Sequence, residues 1–204
     1  MPTDPPCVIL AGGQARRMGG GDKGLLPLGS GRVIDHVIAR LAPQCGALAI
    51  NANGDPARFA DFGLPVLADP VPGQPGPLAG ILAAMDWAAG HGAGVVVTAA
   101  SDTPFLPRDL VARLATAATG GGAVAEGPDE AGRVRAHPTF GLWPVALRDR
   151  LAEMLAEGER RVGVWATVAG AGRACFPADP VDPFFNVNTP EDLATAERLV
   201  TLAG

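Results

Sequence analysis

The chain has 204 residues, of which 48% are hydrophobic and 18% are charged, a composition that excludes a disordered chain and favours one globular domain. The formal net charge of −5 argues against the basic surface that nucleic-acid binding usually needs. The cysteines Cys7, Cys45 and Cys175 form no C-x-x-C pair, which disfavours a zinc site or a disulfide framework. No apolar run reaches the roughly 18 residues of a membrane span, and the N-terminus lacks the basic start of a signal peptide. We therefore expect a cytoplasmic protein without nucleic-acid or membrane partners.

The first part of the chain alternates strand and helix patterns. Short apolar runs that end at turn residues predict buried strands, and apolar residues at helical spacing predict helices. In chain order, these are a strand over 7–11, a Gly-rich loop over 12–24, a helix from 33 to before 43, strands over 47–51 and 64–68, a helix over 78–89, a strand over 95–100 and a helix over 106–118. Such alternation is typical of βαβ units that join into a mostly parallel, doubly wound sheet.

The second part of the chain has weaker patterns. Candidate strands over 123–126 and 139–142 are separated by a polar stretch over 127–135, and a helix is predicted over 145–156. Near the end, TPED at 189–192 gives an N-cap, a proline at the first helical position and an acid at the third, which predicts a capping-box start of a helix that runs to about residue 202. No linker or internal repeat divides the chain, so the sequence predicts one domain.

The Gly-rich segment over residues 10–24 is the first candidate site. It does not match a P-loop, because Lys23 is followed by Gly24, and no G-x-G-x-x-G leads into a helical pattern. Small residues let backbone N–H groups approach phosphate oxygens, and Arg17 and Lys23 supply positive charge. The alternative is a flexible surface loop with solvated basic residues.

Three polar residues follow predicted strands. Asp102 lies just past the strongest strand pattern, where a carboxylate is well placed to hold Mg²⁺ beside bound phosphates; the alternative is an aspartate that caps the next helix or shapes a turn. Asn51 and Asp69 each end a short apolar run and could bond a base or a ribose, although turn residues after strands look the same. In sheets of this kind, ligands bind outside the carboxyl ends of the strands, where the strand order reverses.

Two asparagines near the C-terminus form the last candidate site. Asn186 and Asn188 flank Val187, so in an extended segment both side chains would offer amide groups to one ligand. The alternative is a helix-entry loop with Asx turns. The histidines share no metal-ligand spacing; they are His36, His91 and His137.

Taken in order, these segments resemble the molybdenum cofactor guanylyltransferases, which belong to the broader Rossmann-like nucleotidyltransferases. The matching motifs are LAGGQARRMGGGDKGLL at 10–26, NAN at 51–53, PGPLAG at 75–80, SDTP at 101–104, HPT at 137–139, GERRV at 158–162 and NVNTPEDL at 186–193. They span nearly the whole chain in the family's order. In the first motif, LAGG, RRMGG and DKGLL together separate this family from most sugar-phosphate nucleotidyltransferases.

The resemblance implies a single-domain, three-layer Rossmann-like α/β fold over residues 1–204, with a nucleotide-binding half over 7–120 and a half over 121–204 that binds the pterin acceptor. It implies transfer of GMP from GTP to the terminal phosphate of molybdopterin, with release of pyrophosphate. Lys23, Arg17 and Asp102 would carry catalysis, and Asp102 would bind Mg²⁺, with Mn²⁺ as an alternative. By the same resemblance, the nucleotide site comprises Leu10, Ala11, Gly12, Gly13, Lys23, Asn51, Asp69 and Asp102, and the pterin site comprises His137, Asn186 and Asn188.

The same resemblance sets the expected partners and the rival functions. We expect a monomer that binds GTP and molybdopterin and makes transient contacts with proteins that supply and receive the cofactor. A cytidylyltransferase acting on the same pterin tends to show LAAG in the first loop, so Gly13 favours guanine. A non-catalytic carrier of molybdopterin needs no triphosphate site, which Lys23 and Asp102 argue against.

Overall fold

The computed structural model describes residues 4–12, 22–71, 76–129 and 132–203. Two of the predicted site residues, Gly13 and Arg17, lie outside these ranges. In chain order, the strands and helices are β1 (Pro6–Leu10), β2 (Pro27–Leu28), β3 (Gly31–Arg32), α1 (Val33–Leu41), β4 (Ala47–Asn51), β5 (Val66–Leu67), α2 (Pro77–Gly90), β6 (Val95–Ala100), α3 (Leu110–Ala117), β7 (Ala123–Pro128), β8 (Val134–Pro144), α4 (Arg148–Ala156), α5 (Val162–Ala169), β9 (Gly172–Cys175) and α6 (Pro190–Ala203).

Seven of the strands form one sheet in the order β5-β4-β1-β6-β8-β7-β9. The ladders that join β5, β4, β1 and β6 are parallel, β8 is antiparallel to both of its neighbours, and β9 is parallel to β7. The chain moves from β1 outward through β4 and β5, and then returns past β1 to β6. Strand order therefore reverses between β1 and β6, where Leu10 lies beside Ala100, and this is where such a sheet is expected to bind a ligand.

Helices cover both faces of the sheet, which gives three layers. The side chains of β1 alternate between the two faces: Cys7 and Ile9 pack on the side of α1 and α3, whereas Val8 and Leu10 pack on the side of α2, α4 and α5. Because both faces are covered, every residue of β1 is buried and its sequence is apolar throughout. The predicted α/β fold, a doubly wound and mostly parallel sheet flanked by helices, is confirmed.

The predicted starts of α3 and β8 are wrong. Helix α3 begins at Leu110 rather than at 106, because Pro107 accepts the N–H of Leu110 in a turn and Leu106 is buried in the core from that turn. Strand β8 begins at 134, inside the stretch predicted to be a polar separator. Its early residues pair with the end of β7, and Asp129 forms ion pairs with Arg133 and Arg135 across the hairpin.

Several elements have too weak a local pattern for the sequence to predict them. These elements are the β2–β3 hairpin, α5 and β9. Strand β5 was predicted, but it is shorter than the predicted range. Strand β9 has four residues and is held by pairing to β7, which is information from outside the segment itself. Among the described helices, none is both long and apolar enough to cross a membrane.

Candidate active site

A cavity of about 560 Å³ opens at the carboxyl ends of the parallel strands. This volume lies in the range of small-molecule sites. The residues from the predicted site that line it are Leu10, Gly12, Lys23, Asn51, Asp69, Asp102 and Asn186. The side chain of Ala11 instead packs into the core, and its N–H donates to the carbonyl of Asn51, so Ala11 supports the cavity wall from behind.

Lys23 and Asp102 form an ion pair at one end of the cavity. The Lys23 Nζ lies 3.7 Å from Asp102 Oδ2, and about a fifth of each side chain is exposed. Burial raises the pKa of the Asp102 carboxyl above its ordinary value, and the Lys23 ammonium acts against that rise. Gly24 lets the two segments approach closely, because a Cβ there would lie 3.1 Å from Ser101 Cβ. A cation and a carboxylate are thus held side by side where a polyphosphate could reach both.

The two C-terminal asparagines approach this same pair. The Asn188 Oδ1 accepts a hydrogen bond from Lys23 Nζ, and the Asn186 Oδ1 accepts one from Thr103 Oγ1. The backbone N–H of Val187 donates to the carbonyl of Asp102 at 2.9 Å. The last segment of the chain is therefore attached directly to the loop that carries Asp102.

The capping box of α6 holds this segment in place, as the sequence predicts. The Asp192 N–H donates to Thr189 Oγ1, and the Asp192 carboxylate accepts from the N–H groups of Thr189 and Asn188. Helix α6 begins at Pro190. The capping box that begins α6 therefore also fixes the backbone position of Asn188.

The opposite end of the cavity is built around Asp69. Its Oδ1 accepts from Asn51 Nδ2 at 2.9 Å, and its Oδ2 accepts from Asn53 Nδ2 at 2.7 Å. The second amide hydrogen of Asn51 goes to the carbonyl of Leu67 at 3.1 Å, and Asn51 is only 4% exposed. Both donors of Asn51 are thus used within the protein, whereas the Asp69 carboxylate keeps further acceptor positions.

Gly80 in α2 makes room for this arrangement. A Cβ at Gly80 would clash with Asn51 Oδ1 and would lie 3.0 Å from Leu10 Cδ2. We expect Gly80→Ala to lower the free energy of unfolding by about 1–3 kcal/mol, as overpacking does, and to raise the KM for the nucleotide that the family resemblance implies, because Asn51 is displaced. Denaturant unfolding and steady-state kinetics measure the two effects.

Gly90→Ala is the matched control for that variant. Gly90 lies at the other end of the same helix, and a Cβ there would meet nothing within 4 Å. This variant should keep the wild-type KM and should be as stable as wild type or slightly more stable, because alanine favours the helix. A Gly80→Ala protein with wild-type stability and KM would show that the close approach of α2 has no role in shaping the site.

His137 lies on β8 but does not join the Lys23–Asp102 pair. Its ring stacks on Phe184, with centroids 4.3 Å apart and planes tilted by 22°. Burial lowers the pKa of His137, against an opposing effect of the nearby Asp182. The histidine is thus a neutral aromatic group beside the segment that leads to Asn186.

Sequence reasoning missed several residues that the structure places at the site. Thr103 bonds Asn186, Asn53 bonds Asp69, and Gly80 accommodates Asn51. Asn53 belongs to the NAN motif. It lies two residues after Asn51 at the end of β4, so in extended backbone both side chains point to the same side, and this signal could have identified it. Thr103 lies in the SDTP motif and Gly80 in the PGPLAG motif. Their partners are distant in the sequence, so the motifs alone did not indicate a role.

Solved structures share this fold. The molybdopterin-guanine dinucleotide biosynthesis protein A from Archaeoglobus fulgidus superposes with a TM-score of 0.67 at 20% identity, covering 97% of this chain and 99% of that one. The 2-C-methyl-D-erythritol 4-phosphate cytidylyltransferase from Thermus thermophilus superposes with a TM-score of 0.65 at 18% identity, covering 95% and 98%. Residues 7–168 match the family described as the MobA-like NTP transferase domain. Fold, site and family together define a nucleotidyltransferase.

Relatives with much higher identity narrow the class. A protein of Mesorhizobium japonicum is 54% identical over 208 residues, covering 98% of both chains, and one of Nitrobacter hamburgensis is 51% identical over 203 residues, covering 97% of this chain and 95% of the relative. Both are named molybdenum cofactor guanylyltransferase. The chain belongs to the molybdenum cofactor guanylyltransferases.

Proposed function

We propose that this chain transfers GMP from GTP to the terminal phosphate of molybdopterin, forming the guanine dinucleotide form of the cofactor and pyrophosphate. The observation that carries the proposal is one cavity with the Lys23–Asp102 pair at one end and the Asp69 carboxylate at the other. These groups suit the phosphates and the base of a single nucleotide. The shared name of the relatives supports the same reaction.

The chemistry needs alignment and charge neutralisation. A bond forms between an oxygen of the acceptor phosphate and the α-phosphorus of GTP, while the bond from that phosphorus to the departing pyrophosphate oxygen breaks. The acceptor is already an anion and needs no general base, so the main obstacle is repulsion between two anions. Lys23 brings a positive charge to the phosphates, and its hydrogen bond to Asn188 orients the ammonium. Arg17, outside the described residues, is proposed to add a second charge.

The residues at this end fit a divalent cation. Asp102 supplies a carboxylate, and the amide oxygens of Asn186 and Asn188 lie on the adjoining segment; oxygen ligands of these kinds are those that Mg²⁺ prefers. Within the described residues, no cluster of three His, Cys, Asp or Glu side chains suits a metal. A Mg²⁺, or alternatively a Mn²⁺, would be held here chiefly by the Asp102 carboxylate. When bound, the cation would neutralise phosphate charge as transfer proceeds.

The other end of the cavity suits guanine. Guanine presents two neighbouring donors, N1–H and N2–H₂, and a carboxylate can accept both at once. Cytosine presents a single amino donor beside an acceptor, so it would leave part of the Asp69 carboxylate unpaired. Asn51 and Asn53 hold the Asp69 carboxylate in one orientation, which makes its direction a means of selecting the base.

The pterin is proposed to bind on the side of the second half of the chain, residues 121–204. Asn186 and Asn188 come from this half and contact Thr103 and Lys23 of the nucleotide-binding half. His137, stacked on Phe184, offers a neutral aromatic surface beside them. An acceptor placed there would bring its phosphate toward the same lysine that holds the GTP.

The base preference tests the proposal. With molybdopterin and Mg²⁺, the protein should release pyrophosphate from GTP with a much higher kcat/KM than from CTP. Asp69→Asn should reduce this preference by about 10²-fold or more by slowing GTP use, because a site built for a hydrogen-bonding edge discriminates strongly only while its acceptors are intact. Asp61→Asn is the control, since Asp61 is 82% exposed and pairs with Arg32.

Equal or better use of CTP by the wild-type protein would reject guanylyl transfer and favour the cytidylyltransferase. An unchanged preference in Asp69→Asn would keep the reaction but remove Asp69 as the base-reading group. A carrier protein would bind molybdopterin and release no pyrophosphate with either nucleotide. These three outcomes are distinguishable in one assay.

A further inference from the structure

Asp22 and Arg58 form an ion pair next to the cavity. Arg58 Nε donates to Asp22 Oδ2 at 2.5 Å, and the two side chains are only 28% and 17% exposed, respectively. Asp22 immediately precedes Lys23, and its carbonyl accepts the N–H of Leu25 in the turn that carries the lysine. The carboxylate that Arg58 holds is therefore attached directly to the phosphate end of the site.

The other two guanidinium nitrogens of Arg58 reach the loop after β4. Nη2 donates to the carbonyl of Asn53 at 2.6 Å, and Nη1 donates to the carbonyl of Asp55 at 2.7 Å. The guanidinium also lies over the ring of Phe59, 4.8 Å from its centroid, and Phe59 is buried in the core. All three guanidinium nitrogens of Arg58 thus donate hydrogen bonds, and the Phe59 ring packs against one face of the guanidinium.

These contacts connect the two ends of the cavity. Arg58 binds the carbonyl of Asn53, whose side-chain amide bonds Asp69 and whose side-chain oxygen accepts the N–H of Asp69. On its other side, Arg58 binds the carboxylate next to Lys23. One planar guanidinium thus contacts both the residue that precedes Lys23 and the residue that bonds Asp69.

We infer that Arg58 is a positioning residue for nucleotidyl transfer, which aligns Lys23 with the Asn53–Asp69 unit so that both ends of one nucleotide are bound at once. The inference rests on the proposed function. It requires the planar fork of arginine, because a lysine or methionine cannot hold Asp22 and Asn53 together. A misplacement of about 1 Å at a site of this kind can reduce the rate about 10²-fold.

Kinetics of Arg58→Met and Arg58→Lys test this role. We expect Arg58→Met to lower kcat/KM for GTP about 10–100-fold, with a higher KM and a lower kcat, and Arg58→Lys to recover only part of the loss. A purely structural role would lower the unfolding midpoint and the active fraction, and would leave the KM of the folded molecules unchanged. Arg113→Met is the control: Arg113 likewise pairs with an aspartate, donates to a backbone carbonyl and lies over a phenylalanine ring, but away from this cavity.

Binding measurements separate this inference from the proposed reaction. In Asp22→Asn, GTP should bind about tenfold more weakly, because the charge-assisted contact with Arg58 that places Lys23 is weakened. Guanosine should bind as to wild type, because guanosine has no phosphates for Lys23. The double variant Asp22→Asn/Arg58→Met should lose GTP affinity by little more than Arg58→Met alone. Wild-type KM and GTP affinity in Arg58→Met would overturn the inference. If the wild-type protein bound GTP but transferred no GMP, the proposed reaction would be rejected. The affinities of the variants for GTP and for guanosine would still decide the role of Arg58.

Discussion

Asp102→Asn is expected to reduce GMP transfer by about 10²–10³-fold, the cost of removing one electrostatic group from an active site, while the protein stays folded. Asparagine keeps the size of the side chain and the backbone carbonyl that accepts from Val187. It removes the negative charge that is proposed to hold the divalent cation. It also removes a carboxylate whose pKa is raised by burial, so the fold loses a group that was costly to desolvate.

Pyrophosphate release measured against Mg²⁺ concentration checks this expectation. The wild-type protein should stop turning over when the metal is chelated, and the variant should need far more Mg²⁺ for its residual activity. Asp109→Asn, at an exposed pair with Arg113, should behave as wild type. A variant that unfolds but keeps wild-type metal dependence in its folded fraction would support the reading of Asp102 as a turn or cap residue.

Lys23→Met should lower kcat/KM for GTP about 10²–10³-fold and should weaken GTP binding. Methionine keeps an unbranched apolar stem, so the turn that carries it is retained, whereas the cation beside Asp102 is lost. The ion pair is partly solvated, with about a fifth of each side chain exposed, so its removal should change stability far less than activity. Equilibrium unfolding and GTP titration of the same preparation separate the two effects.

Lys23 can also be tested without mutation, because it is the only lysine in the sequence. An amine-selective reagent should modify Lys23 and the N-terminal amine, and mass spectrometry distinguishes the two sites. Saturating GTP should protect Lys23 but not the N-terminus, and modification should abolish pyrophosphate release. Near-normal turnover of fully modified protein, or of Lys23→Met, would remove Lys23 from the phosphate site.

The sequence predicted the sheet well where each strand carries its own signal. The apolar run of β1 and the β-branched run of β6 both end in turn residues, so their ends, and hence the edge of the sheet that carries the cavity, were predictable. The capping box at Thr189 was similarly local. Strand β9 and the early part of β8 were not predictable, because their pairing with β7 forms them and their own residues do not show it.

For the site, the sequence identified groups by their chemistry and by their place after strands. Lys23, Asp102, Asn51 and Asp69 were candidates on this basis, and the family resemblance then implied their roles. The structure brings all four to one cavity. The sequence did not show that Asn51 donates both of its amide hydrogens within the protein, to the carbonyl of Leu67 and to the carboxylate of Asp69. That division of roles leaves the Asp69 carboxylate as the group proposed to contact the base.

By itself, then, the sequence determined the class of fold, the edge of the sheet at which a ligand is expected to bind and the family to which the chain belongs, because burial periodicity, turn residues and motifs are all local patterns. The tertiary structure alone decided which side chains meet. Arg58 meets Asp22 across 36 residues, Asn186 meets Thr103 across 83, and Asn188 meets Lys23 across 165. Contacts over such separations leave no local pattern, since they depend on where the sheet order and the helix ends place each loop in space.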